Sequence, residues 1–171
     1  MKKPVKFIPE IQVPEIKASE QIPTKSKKIV QISEFLATVD GGKVYKKCQA
    51  CHVKTGEGVP GAFPPLTGRL ASLLKSKHGR EYLALVVMNG VRGEMNIDGI
   101  RYIGTMPRQG GMTPEKTAAV LNYIMTEFNG VATDDTDLFK TDEIVKISTD
   151  NGRMTAQNIF KKRATAFVKE Q

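Results

Sequence analysis

At 171 residues, the chain is long enough for one domain with extensions and too short for two comfortable cores. Its formal net charge is +8, and tryptophan is absent. The basic residues form no arginine-rich cluster interleaved with aromatics, which argues against nucleic acid as a partner. No run approaches the roughly 18–20 apolar residues of a spanning helix. Met1-Lys2-Lys3-Pro4 is not followed by the apolar stretch of a signal peptide. The sequence as it stands therefore reads as soluble.

Residues 1–30 read as an extended arm. Pro4, Pro9, Pro14 and Pro23 oppose helix, while Val5, Phe7, Ile8, Ile11, Val13, Ile16 and Ile22 are too many apolar residues for a purely solvated linker. The expectation is an arm laid along its own domain or a partner. Ser33 is placed to cap a short helix with Phe35, Leu36 and Val39 on one face. Asp40 offers a second cap, ahead of Gly41-Gly42-Lys43-Val44-Tyr45-Lys46-Lys47, with Val44 and Tyr45 facing inward and the lysines wet.

That second helix leads into Cys48-Gln49-Ala50-Cys51-His52, which holds both cysteines and one of the two histidines. C-x-x-C-H is the attachment signature of a c-type haem. Two thiols at this spacing reach both vinyl groups on one porphyrin edge, and the next imidazole lies where it can bind iron. A structural zinc site needs four ligands, and only His78 remains to supplement the motif. A thioredoxin-like pair needs alternating strands and helices around it, which the sequence lacks. A disulfide between cysteines this close on a helix would be strained.

The span from Lys54 to Gly68 is dense in glycine and proline, which prescribes a fixed loop rather than regular structure. With Gly42-Lys43-x-Tyr45, Cys48-x-x-Cys51-His52, Gly56-x-Gly58-Val59-Pro60-Gly61-x-Phe63-Pro64-Pro65-Leu66 and, later, Met106-Pro107, residues 38–130 resemble a class I monohaem cytochrome c of the bacterial soluble type. The resemblance implies an all-α fold wrapped round one haem c, bound covalently through Cys48 and Cys51, with His52 as one iron ligand. It further implies that a proline carbonyl of the loop accepts the His52 Nδ1–H; Pro65 is the favoured acceptor and Pro64 the alternative.

Arg69 and Leu70 open a short helix-prone run that ends in the exposed Lys75–Gly79 segment, where His78 is a poor ligand candidate. Arg80 to Asn89 reads as an apolar helix stopped by Gly90. Glu94 to Tyr102 reads as a small hairpin with Asp98-Gly99 as a type I′ turn. Arg69, Arg101 and Tyr102 are candidates to hydrogen-bond the haem carboxylates. Among the methionines, Met88 reads as core and Met95 as a strand residue. Met106 stands in an irregular loop stiffened by Pro107, and it matches the Met-Pro ligand motif that the resemblance implies. Met112 is the runner-up. Thr113-Pro114-Glu115 starts a helix with Val120, Leu121, Ile124, Met125 and Phe128 on one face.

Residues 131–171 extend beyond the resemblance, with 31–130 as the domain proper. Thr133-Asp134-Asp135-Thr136-Asp137 reads as a solvated acidic turn, since the calcium-loop pattern is missing. A final helix from Thr155 aligns Ala156, Ile159, Phe160, Ala164 and Phe167, with Lys161, Lys162 and Arg163 on its other face. The resemblance implies a non-enzymatic electron carrier in the periplasm, and Lys43, Lys46, Lys47 and Lys54 are candidates to steer acidic redox partners. The alternatives are a haem subunit of a larger, membrane-associated oxidase, reductase or dehydrogenase complex, and a ligand-binding or peroxidase-like haem protein with a labile methionine.

Overall fold

A computed structural model describes residues 39–167. The expected arm 1–30 and the Ser33 cap lie outside these residues. Asp40 caps the first helix, α1 (Gly41–Tyr45), accepting from the Lys43 backbone N–H at 3.0 Å. A turn then leads into α2 (Gln49–His52), so the two cysteines sit on consecutive short turns. After the loop comes a 3₁₀ turn, Ala71–Lys75. The next helix, α3 (Lys77–Asn89), begins three residues earlier than the apolar run suggests, because Ser76 accepts from Gly79 N–H at 2.9 Å and caps it there. His78 falls in its first turn and is exposed.

Helix α3 is central. Tyr82, Leu83, Ala84, Leu85 and Val87 are buried on several sides at once, and the 3₁₀ turn and three later helices pack around it. Strands β1 (Val91–Ile97) and β2 (Ile100–Met106) form an antiparallel hairpin with Val91 opposite Met106 and Ile97 opposite Ile100. Asp98 and Gly99 both have positive φ, +52° and +80°, as a type I′ turn requires.

Helix α4 (Pro114–Asn129) starts at the Thr113 cap with Pro114 at its first position and ends at Gly130 in the left-handed region. It crosses α1 at very close range. A Cβ built on Gly41 would lie 2.2 Å from the Ala119 carbonyl oxygen and 2.8 Å from the Tyr123 Cβ. Only glycine permits that crossing, which Tyr45, Tyr123 and Phe128 consolidate as a cluster with ring centroids 5.0–5.6 Å apart.

The segment beyond residue 130 is built into the same core. Helix α5 (Thr141–Asn151) places Ile144 at 0% exposure, and Phe139 just before it is also buried. Arg80 of α3 reaches across to Glu143 with two hydrogen bonds of 2.5 and 2.6 Å, with its guanidinium 4.6 Å from the Phe139 ring centroid. Asn122 of α4 exchanges side-chain hydrogen bonds with the Phe139 backbone N–H and carbonyl. Nothing in the sequence reading anticipated α5. Its signals were present, with Asp142 and Glu143 in the first turn and Gly152 at the end.

Helix α6 (Ala156–Ala166) packs on α3 and β1. Its buried positions are Ile159 and Ala166, while Ala164 is exposed, so the helix is turned relative to the face expected from apolar spacing. Lys162 and Arg163 are half-buried rather than wet. The stems of long cations cover apolar surface, and Lys162 Nζ finds Glu81 of α3 at 2.6 Å. The Phe160 ring lies over β1 where a Cβ on Gly93 would be 2.4 Å away.

Candidate functional site

The hairpin, α2, α3, α4 and the Pro-rich loop surround one cavity of about 570 Å³, within the range of small-molecule and cofactor sites. Cys48, Cys51 and His52 line it from α2 and the turn before it. Leu83, Val86 and Val87 contribute from α3, Val120, Leu121 and Ile124 from α4, and Val91, Met95, Ile97, Tyr102 and Met106 from the hairpin. The walls are overwhelmingly apolar, with the two thiols and the imidazole contributed by α2 and the turn before it. Two free thiols, an oriented imidazole and thioether sulfurs set in apolar walls suit a flat, mostly apolar tetrapyrrole carrying iron. The residues present fit a haem c.

His52 is buried, and its Nδ1 lies 2.8 Å from the Pro64 carbonyl oxygen. The acceptor is therefore Pro64 and not the expected Pro65. The loop turns at Val59–Phe63, where Val59 N–H donates to the Phe63 carbonyl at 2.8 Å and Phe63 N–H to that of Val59; the carbonyl this hairpin directs at the ring is that of the first proline. Pro65 also lines the cavity. With Nδ1 engaged, Nε2 is the nitrogen left for a metal, and burial pushes the His52 pKa down, favouring the neutral, ligating form. Burial also pushes the Cys48 thiol up, with Cys51 adding to the effect.

Two further residues hold this arrangement, Tyr45, which was expected only to face inward, and Asn129, which was given no role. The Tyr45 hydroxyl donates to the Val53 carbonyl at 2.8 Å. Val53, directly after His52, has φ +53°, a region that β-branched residues rarely adopt. Burial, with smaller contributions from Cys48 and Tyr123, pushes the Tyr45 phenol up to about 12, so it remains a donor at any ordinary pH. At the other end of the loop, the Asn129 side-chain oxygen accepts from the Arg69 and Leu70 N–H groups at 2.9 and 2.8 Å, while its amide donates to the Leu66 and Ile124 carbonyls. The aromatic spacing around Tyr45 was visible; the Asn129 clamp had no signal beyond its place at a helix end.

Met106 lines the cavity at the end of β2, and Met95 lines it from β1; Met112 and Met88 are not part of the lining and pack on the apolar core. Tyr102 is buried in the cavity wall. Arg69 lines it too, its guanidinium bound to Asp98 at 2.7 Å. Arg101 does not line it and pairs with Glu94 on the hairpin's exposed side. Lys43, Lys46, Lys47 and Lys54 are all exposed, and Lys47 donates from its rim position to the Gly110 carbonyl at 3.1 Å. Among the described residues, no helix is long and apolar enough to cross a membrane.

The profile of the family described as Cytochrome c matches residues 38–127, which cover the cavity walls up to α4. The chain is also similar to two cytochromes c-552 of Thermus thermophilus. It is 46% identical to one over 91 residues, covering 53% of this chain and 62% of the relative. It is 46% identical to the other over 87 residues, covering 51% of this chain and 66% of the relative. The match thus spans a little under two thirds of the length of either relative.

Proposed function

Because the chain belongs to the cytochrome c family, as a class I c-type cytochrome, we propose that it carries single electrons between redox proteins. The cofactor of the family is one covalent haem c, and Cys48 and Cys51 fit its attachment motif. When bound, that group would supply a reversible one-electron iron couple, and a thioether sulfur ligand would favour the ferrous form. Cys48 and Cys51 would tether it. His52 would hold the iron through Nε2, its ring fixed by the Pro64 carbonyl, and Met106 would supply a sulfur ligand.

The observation that carries this reading is the single cavity lined by both thiols, the buried imidazole and Met106. With His52 and Met106 both holding the iron, no coordination site would be left open for oxygen chemistry, and the apolar walls would exclude water. Phe63 and Ile103 line the cavity and are 40% and 58% exposed. They offer the small apolar contact of a transient redox complex. The exposed Lys43, Lys46, Lys47 and Lys54 steer acidic donors and acceptors toward it. A periplasmic location goes with thioether attachment, which normally takes place outside the bacterial inner membrane.

The test is the optical spectrum of the oxidised protein. The weak charge-transfer band of sulfur bound to ferric haem is expected in the parent, lost in Met106→Ala and kept in Met112→Ala. High-spin iron in the parent, without that band, would replace the carrier with a ligand-binding haem protein.

A further inference from the structure

Helix α6 lies wholly outside the residues matched by the family profile, yet one of its side chains reaches the cavity. Arg163 is part of the lining. The helix that carries it is well fixed. Ile159 and Ala166 are buried at 0% and 2% exposure in an apolar cluster with Tyr82, Leu85 and Val91, against which Met106 packs. Lys162, next to Arg163, is pinned to Glu81. The guanidinium itself stacks on Phe167, with its carbon 4.2 Å from the ring centroid. That stack holds the planar group in one orientation with little rotamer freedom left to lose.

Tyr82 lines the same cavity; burial pushes its phenol up, and the Arg163 charge pulls it the other way. Two other cations line the cavity, and both have partners. Arg69 is held by Asp98 at 2.7 Å, and Lys47 donates to the Gly110 carbonyl. Among the described residues, Arg163 forms no ion pair.

A haem is an apolar disc with two carboxylates on one edge. A carboxylate drawn against an apolar wall needs a cationic or hydrogen-bonding partner, and a guanidinium accepts it as a planar fork. We propose that Arg163 receives a haem carboxylate in this cavity, so that the C-terminal extension completes the site and raises its reduction potential. The proposal rests on the haem reading above. The sign follows from charge: a cation in the wall, and a carboxylate neutralised by it, both disfavour the more positive ferric state. Arg163 touches no reacting atom and is a positioning residue.

The experiment uses the full chain with haem attached, as the parent, R163Q and R163K. The readouts are the midpoint potential and the resonance Raman bending mode of the haem carboxylates, which senses their hydrogen bonding. R163Q is expected to lower the equilibrium constant for reduction at least threefold, about 30 mV for one electron, and to shift the Raman band. R163K is expected to recover most of the potential, since the charge is kept, but still to shift the band, since an ammonium lacks the fork. An R163Q protein with attached haem, parental potential and parental band overturns the role of Arg163 and leaves the haem reading standing. A parent chain without thioether-bound haem overturns the reading beneath it. Should R163Q not fold, R163K decides, and an unshifted band in that variant overturns the proposal.

Discussion

The hydroxyl of Tyr45 controls more than its size suggests. It holds the carbonyl of Val53, the residue that leaves α2 through positive φ immediately after the buried imidazole. Tyr45→Phe keeps the ring cluster with Tyr123 and Phe128 and removes only that donor, so a loss of about 1 kcal/mol of stability is expected. The pH dependence has a definite sign. The folded phenol is raised to about 12 from an unfolded value near 10, so the hydroxyl's contribution is full below about pH 10 and disappears as pH rises through the folded value. Denaturant melts of parent and variant should therefore differ by a constant amount from neutral pH up to about 10 and then converge. A gap that widens with alkali would show that burial does not keep the folded phenol protonated. At this scale much was legible in advance. Cys48, Cys51 and His52, picked out by spacing, and Met106, picked out by its proline, all line one cavity. The choice between Pro64 and Pro65 was not legible, because it depends on how the Val59–Phe63 turn points one carbonyl, and both prolines read alike in sequence.

At the scale of elements, the pairing of α1 with α4 sets the back of the cavity, since α1 leads directly into the cysteine motif and α4 supplies Val120, Leu121 and Ile124 to the wall. Their separation is limited by Gly41, whose missing Cβ leaves room for the Ala119 carbonyl. Gly41→Ala places a methyl group 2.2 Å from backbone that cannot rotate away, and overpacking of this kind costs roughly 1–3 kcal/mol. The expected result is a lower thermal midpoint together with a perturbed aromatic circular-dichroism signal from the Tyr45, Tyr123 and Phe128 cluster. A variant as stable as the parent would mean that the helices part at no cost and that the crossing is not set by this contact. The helices themselves were readable from caps and apolar spacing, with Asp40, Thr113, Gly90 and Gly130 each marking an end. Helix α5 was missed because its apolar content is low and its burial depends on one residue, Ile144. The rotation of α6 was missed because a lysine and an arginine on the inner face look, in sequence, like a solvated edge.

Across the molecule, the stretch beyond residue 130 is the part that the family pattern does not cover and the fold nevertheless uses. Phe139 and Ile144 are buried in the same cluster as Tyr45, Leu121 and Met125, and Ile159 belongs to the cluster that supports Met106. Each such side chain contributes about 1.5–3 kcal/mol by burial, against a total stability of only about 5–15 kcal/mol for a domain. Arg80 adds a further dependence, since without Glu143 and the Asp137 carbonyl it would be left half-buried with only the Leu74 carbonyl. A chain ended at residue 130 should therefore not hold a cooperative fold, whereas one ended at residue 152 keeps Phe139, Ile144 and the Arg80–Glu143 pair and loses only α6. The full chain is expected to melt at a higher midpoint than 1–152, and 1–130 to show no sharp transition at all. Loss of α6 alone should also loosen Met106, because Ile159 and Phe160 no longer back the hairpin that carries it, and so raise the rate at which added imidazole or cyanide replaces the sulfur ligand proposed above. If the 1–130 chain melted as cooperatively and as high as the full protein, the extension would be an appendage and the two apolar clusters would not depend on it.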